Sequence, residues 1–190
     1  MARLMGMVTE MHLRTSEGGG VRFNYRGLHR YLITLPSAAP GVCLSGKETV
    51  FAILAVLREA CRTHQFDLYA YCFLADRLVI IVRGKSEDSD MKKFLAEFRA
   101  ASATALPGRL WARKYQERVL RRLENTRTVA DGVFQLPVKA GLAPAPAAYP
   151  YQGSFVLPPA GDPPPPTRRP PNRRAPHRFS RGSKKKGGGR

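Results

Sequence analysis

Two runs of strand-forming residues stand only two residues apart, and that spacing constrains the fold more than any other feature of the chain. Phe66 to Leu74 is mostly apolar and holds four aromatic residues. Arg77 to Arg83 carries Leu78-Val79-Ile80-Ile81-Val82. Only Ala75-Asp76 lies between them, so the pair predicts a β-hairpin. Upstream, Tyr31-Leu32-Ile33-Thr34-Leu35 predicts a strand stopped by Pro36. Glu48 to His64 then predicts a helix with Val50, Phe51, Leu54, Leu57, Ala60 and Cys61 as its buried stripe. Downstream, Met91, Phe94, Leu95 and Phe98 mark a second helix, capped by Ser89 or Asp90 and ended before Pro107-Gly108. Leu110 to Leu120 predicts a fourth strand, and Glu124 to Val133 a short helix. Strand, helix, strand, strand, helix, strand is the order of an α+β ferredoxin-like sandwich, an antiparallel sheet with two helices on one face.

The 190 residues divide into three parts. Residues 1–24 read as a flexible N-terminal segment broken by Gly18-Gly19-Gly20. Residues 25–157 hold the elements above. Residues 158–190 have a run of four prolines, alternating Arg pairs and Pro, and Lys184-Lys185-Lys186 before three glycines. That composition predicts an extended, disordered, basic tail.

Charge narrows the function. The formal net charge is +18, and residues 158–190 contribute half of it, with ten Lys or Arg against the single acid Asp162. A polyanion, or an anionic membrane surface, is the natural partner of so basic a chain. No stretch approaches 18 consecutive apolar residues, so no membrane span is expected. Thr9, Glu10, His12 and Arg14 interrupt the only candidate leader. Cys43, Cys61 and Cys72 form no Cys-x-x-Cys pair and sit in apolar surroundings. They read as reduced core residues, which suits a cytoplasmic protein. His12, His29, His64 and His177 are scattered and suggest no metal site.

Three stretches resemble one family. Leu68-Tyr69-Ala70-Tyr71-Cys72-Phe73-Leu74-Ala75-Asp76-Arg77-Leu78-Val79-Ile80-Ile81-Val82 resembles the hairpin of the REP-associated tyrosine transposases, which are single-tyrosine HUH nucleases. Leu110-Trp111 with Arg113-Lys114-Tyr115 resembles a Leu-Trp-x-x-Arg-Phe strand of that family. Pro137-Val138-Lys139-Ala140-Gly141-Leu142, followed by Tyr149-Pro150-Tyr151, resembles its closing motif. The resemblance implies the ferredoxin-like fold, a nucleoid-associated location, single-stranded or hairpin DNA as partner, and the capacity to form a homodimer. It also implies chemistry: two His residues two apart on the hairpin's second strand, which chelate a divalent metal, and a tyrosine that attacks the phosphate.

The chain departs from that chemistry. The two His positions fall at Arg77 and Val79, and no His occurs from Gln65 to Pro176. The nucleophile position falls near Ser102, on a helix without tyrosine. The expectation is therefore no catalytic residue, no metal and no cofactor. What remains is binding. Arg77 can hold phosphate where the family holds its metal, or merely sit at a hairpin end. Trp111, Arg113 and Tyr115 share a face if their segment is a strand, with Lys114, Arg118, Arg121 and Arg122 beside them. Such a face can stack bases and hold phosphates, or pack its aromatics in the core. Arg26 and Arg30 extend the basic surface. The tail adds Arg168, Arg169, Arg173, Arg174, Lys184, Lys185 and Lys186, which suit non-specific binding of DNA or of RNA. Three other readings stay open: an active single-strand nuclease with other residues, an RNA-binding or ribosome-associated factor, and a decayed element.

Overall fold

A computed structural model describes residues 23–39, 43–106 and 108–157. The tail, the Gly18–Gly20 break and the candidate leader lie outside these residues. Five strands form one antiparallel sheet in the order β4-β1-β3-β2-β5. They are β1 (Arg30–Pro36), β2 (Phe66–Phe73), β3 (Arg77–Gly84), β4 (Gln116–Val119) and β5 (Gln152–Gly153). The helices are α1 (Lys47–Thr63), α2 (Met91–Ala105), α3 (Thr126–Phe134) and α4 (Leu136–Lys139). The first four strands with α1 and α2 make the expected ferredoxin-like α+β sandwich.

The β2–β3 hairpin is central. Its turn closes with the Leu74 N–H donating to the Arg77 carbonyl at 2.8 Å. β3 reads as an unbroken apolar run because both of its faces are covered. Leu78, Ile80 and Val82 enter the core beneath α1 and α2, while Val79 and Ile81 enter a second core beneath α3. A bulge in β2 between Leu68 and Ala70 turns Tyr69 and Ala70 toward the same second face. Sequence periodicity foresaw no cover for that face. It is supplied by Ala130, Val133 and Phe134 of α3, together with Tyr149. The Tyr149 hydroxyl donates to the Phe73 carbonyl at 2.6 Å. The closing motif thus seals the β2 edge, with β5 paired to Tyr71 and Cys72.

Three expectations are corrected, and the open choice of cap for α2 is decided. In α1, Val50, Ile53, Leu57, Ala60 and Cys61 are the buried stripe, and Phe51 is 61% exposed. One residue beyond Val50 is a turn of about 100° around the helix, which carries Phe51 off the core face. At α2 the cap is Asp90, whose carboxylate accepts from the N–H groups of Lys92 and Lys93. Ser89 instead accepts from Lys85 and Ser86 within the preceding loop. Cys43 is exposed, unlike Cys61 and Cys72.

The third correction concerns residues 110–120, of which only Gln116–Val119 is strand, paired with Tyr31–Thr34. Partner numbers sum to 150 in that ladder, as for Thr34 with Gln116, but to 148 at the isolated bridge of Ser37 with Trp111. Two extra residues therefore loop out. Pro36 has no N–H to continue the ladder, and its carbonyl accepts instead from Ala112 at 3.0 Å.

Candidate nucleic-acid interface

The pleat sorts the basic residues. Arg77, Val79, Ile81 and Arg83 of β3 share the second face with Arg30, Leu32 and Thr34 of β1 and Arg118 of β4. α3 lies chiefly over β2 and β3, and Leu32 of β1 packs at the border of the same core.

Arg77 and Val79, which the resemblance aligns with metal ligands, offer no donor atom for a metal. Arg77 presents a guanidinium with no lone pair to donate, and Val79 is a hydrocarbon side chain only 5% exposed. Among the described residues no group of three or more His, Cys, Asp or Glu side chains is placed to hold an ion. Arg77 is also engaged: its Nε and Nη2 donate to the Asp76 carboxylate at 3.0 and 2.7 Å. That bidentate contact holds the Asp76 carboxyl below the ordinary range.

Ser102 lies apart from position 79. It is fully buried, its hydroxyl donates to the Phe98 carbonyl, and α2 covers the first face of the sheet. Position 79 faces α3 instead, and Thr126–Phe134 contains neither Tyr nor His. The positions that the resemblance aligns with a nucleophile and with metal ligands thus lie on opposite sides of the sheet.

The expected aromatic-basic face on residues 111–115 does not form. Trp111 is 5% exposed and packs against Phe98 at 5.8 Å between ring centroids. Tyr115 lies beside Lys92, whose ammonium donates to its hydroxyl at 3.1 Å and pairs with Glu117 at 2.6 Å. Arg113 and Lys114 are exposed in the two-residue excursion. Arg26 is exposed and paired with Asp88 at 3.2 Å.

At the other end of the second face the cations converge. Arg30 and Arg83 are direct partners across β1 and β3. They line a cleft of about 490 Å³ with Leu28, His29, Leu120, Arg122 and Thr126. Arg83 makes only a long contact, 3.4 Å, to the Tyr69 hydroxyl. Arg30 has a structural duty, because its guanidinium donates to the carbonyls of Arg121 (2.7 Å), Arg122 (3.3 Å) and Glu124 (2.8 Å) and to Thr126 Oγ1 (2.6 Å). Glu124 pairs with Arg118, so Arg118 is spent within the same turn. Arg121 and Arg122 point outward. The seven named tail cations, from Arg168 to Lys186, lie outside the described residues. Sequence reading missed Arg83, although alternation from Arg77 would have placed it on the same face.

The same fold occurs in a solved structure. A REP-associated tyrosine transposase bound to a REP hairpin matches with a TM-score of 0.61 at 17% identity, over 72% of this chain and 82% of that one. The fold is transposase-like. A protein from Deinococcus radiodurans R1 provisionally named a transposase matches with a TM-score of 0.43 at 18% identity, over 61% of this chain and 94% of the other. No protein-family profile matches the sequence, and no curated protein does. Among the described residues no helix is long and apolar enough to cross a membrane.

Proposed function

We propose that this chain is a DNA-binding protein that keeps a transposase-like fold and does not cleave or transpose DNA. The observation that carries the reading is the cleft lined by Arg30, Arg83 and Arg122: Arg83 and Arg122 offer their cations to it, while the Arg30 guanidinium braces the turn beside it. Such a cluster stabilises a phosphate backbone. The net charge of +18 supports the same partner. The similar transposase was solved with a hairpin, which supports single-stranded or hairpin DNA as the form bound. Absence of cleavage rests on side-chain chemistry. Without two imidazoles on β3 and without a phenol on the helix over Val79, neither metal chelation nor a phosphotyrosine link is available.

Two measurements test this on the full chain. Affinities for hairpin DNA, duplex DNA and hairpin RNA are compared at two salt concentrations, and hairpin DNA is expected to bind most tightly. Stronger binding of the RNA would replace DNA by RNA as the partner. The protein is also incubated with labelled single-stranded DNA and Mg²⁺ or Mn²⁺, then denatured. No nick and no covalent adduct are expected, and either product would overturn the non-cleaving reading.

A further inference from the structure

Among the described residues, the most exposed large hydrophobic side chain is Leu123, at 97%, in the turn between β4 and α3. Exposure of one leucine in a mobile loop means little, because the loop can fold it back. This turn cannot do so. Arg30 ties down the carbonyls on both sides of Leu123 and the first residue of α3. The Glu124 carboxylate accepts from the Arg121 N–H at 2.5 Å and pairs with Arg118. The Glu124 N–H returns to the Arg121 carbonyl at 3.0 Å, and Asn125 caps α3 by accepting from the Arg127 N–H at 2.8 Å. A turn held by this many hydrogen bonds presents its side chains in a fixed direction. What it presents is an apolar group flanked by Arg121 and Arg122, and Arg122 also lines the cleft that holds Arg83.

We propose that this braced turn is a wedge: Leu123 packs against the base plane exposed where a DNA duplex ends or opens into a loop, while Arg121 and Arg122 hold the flanking phosphates. The chemistry is that of apolar side chains set against unstacked base steps, with cations fixing the register. A single leucine on a turn is too small an apolar surface for a stable protein interface. Two adjoining cations favour a polyanion with an apolar plane of its own. The proposal rests on the DNA-binding reading and adds to it a preference for discontinuous duplexes.

The test uses the full chain and two oligonucleotides of equal length: a DNA hairpin with 2-aminopurine as its first unpaired loop base, and an unstructured single strand with the same label. Wild type, Leu123→Ala and the double variant Arg121→Ala/Arg122→Ala are compared. Leu123→Ala should weaken hairpin binding about five-fold or more, abolish the fluorescence change of the loop base, and leave single-strand affinity unchanged. The double variant should weaken both. With Leu123 this exposed, thermal melting of Leu123→Ala should match wild type. An unchanged hairpin affinity and fluorescence response would overturn the wedge, and so would equal losses on both oligonucleotides; in either case wild-type binding keeps the DNA-binding reading intact. Failure of wild type to bind either probe at low salt would remove both readings.

Discussion

Arg30 and Arg83 face each other directly across the β1–β3 pair on one side of the sheet, and neither guanidinium pairs with a carboxylate among the described residues. Like charges placed opposite in a ladder cost stability, by roughly 0.2–1 kcal/mol. Arg30 is accounted for by the carbonyls it binds. Arg83 is not, since its one hydrogen bond is long. Arg83→Thr should therefore hold or slightly raise the melting temperature while weakening hairpin DNA binding about ten-fold, the loss expected for a charge-assisted phosphate contact. Thermal melting and a binding isotherm on the same preparation check it. A loss of stability with unchanged affinity would make Arg83 a structural residue.

The Glu124 brace should respond to acid. The Arg118 guanidinium, followed by the Arg121 N–H, holds its carboxyl below the ordinary range near 4.5. A carboxyl depressed in the folded state contributes stability that is present above its unfolded pKa and is lost as pH falls through the folded one. Glu124→Gln should lower the melting temperature by a few degrees at pH 7, consistent with about 1 kcal/mol or less for a partly solvated pair. The gap between variant and wild type should close as the pH drops through about 4 and below. Melting curves across that range decide the point, and a gap independent of pH would sink it.

The cysteines should separate cleanly. Burial pushes the Cys61 and Cys72 thiols up to about 12. The exposed Cys43 thiol lies 3.4 Å from the Ser45 hydroxyl, and that hydrogen bond lowers its pKa from the usual value. At pH 8 the native protein should react rapidly with a disulfide reagent at Cys43 alone, and at all three thiols once denatured. Cys43→Ser should abolish the rapid phase.

Much of the fold was legible because β-hairpins and amphipathic helices are local patterns. The hairpin, the stripe of α2 and the burial of Leu57, Ala60 and Cys61 follow from spacing alone. What was not legible depended on the third dimension. Phe51 reads as core because it is apolar, but its angle on the helix decides otherwise. Residues 110–115 read as strand because they alternate, but Pro36 on the neighbouring strand breaks the ladder that would hold them. The alignment places the nucleophile position near Ser102 on α2, and only the pleat of β3 reveals that Val79 faces the opposite side of the sheet. The turn around Leu123 gave no signal, because Arg30 reaches it across 91 to 96 positions of sequence.

The basic tail makes a prediction from its composition alone. Ending the chain at Leu157 removes ten of the 32 Lys and Arg side chains. Each phosphate that is no longer neutralised by a tail cation should flatten the dependence of log affinity on log salt by about 0.7–0.9. The truncated protein should bind more weakly and with a shallower slope while melting at the same temperature. An unchanged slope would show that the tail does not reach the nucleic acid.

Arg77 provides the last test, because its position and its environment point in different directions. Its place in the hairpin is the one the resemblance aligns with a metal ligand, which favours a phosphate anchor. Its side chain is half-exposed and held by Asp76 through two hydrogen bonds, so a phosphate must compete with a carboxylate already in place. Arg83 makes no such contact among the described residues: the carboxylate opposite it, Asp67 of β2, lies 3.8 Å from the Lys85 ammonium instead. Arg77→Ala should therefore weaken hairpin DNA binding less than Arg83→Ala does. Asp76→Asn should strengthen it about two- to five-fold by releasing the guanidinium, the range expected for breaking an exposed ion pair. Both variants should melt close to wild type, and the effect of Asp76→Asn should vanish in an Arg77→Ala background. A larger loss from Arg77→Ala than from Arg83→Ala would move the centre of the interface to the hairpin end of the sheet, with Arg77 as the cation that replaced the metal.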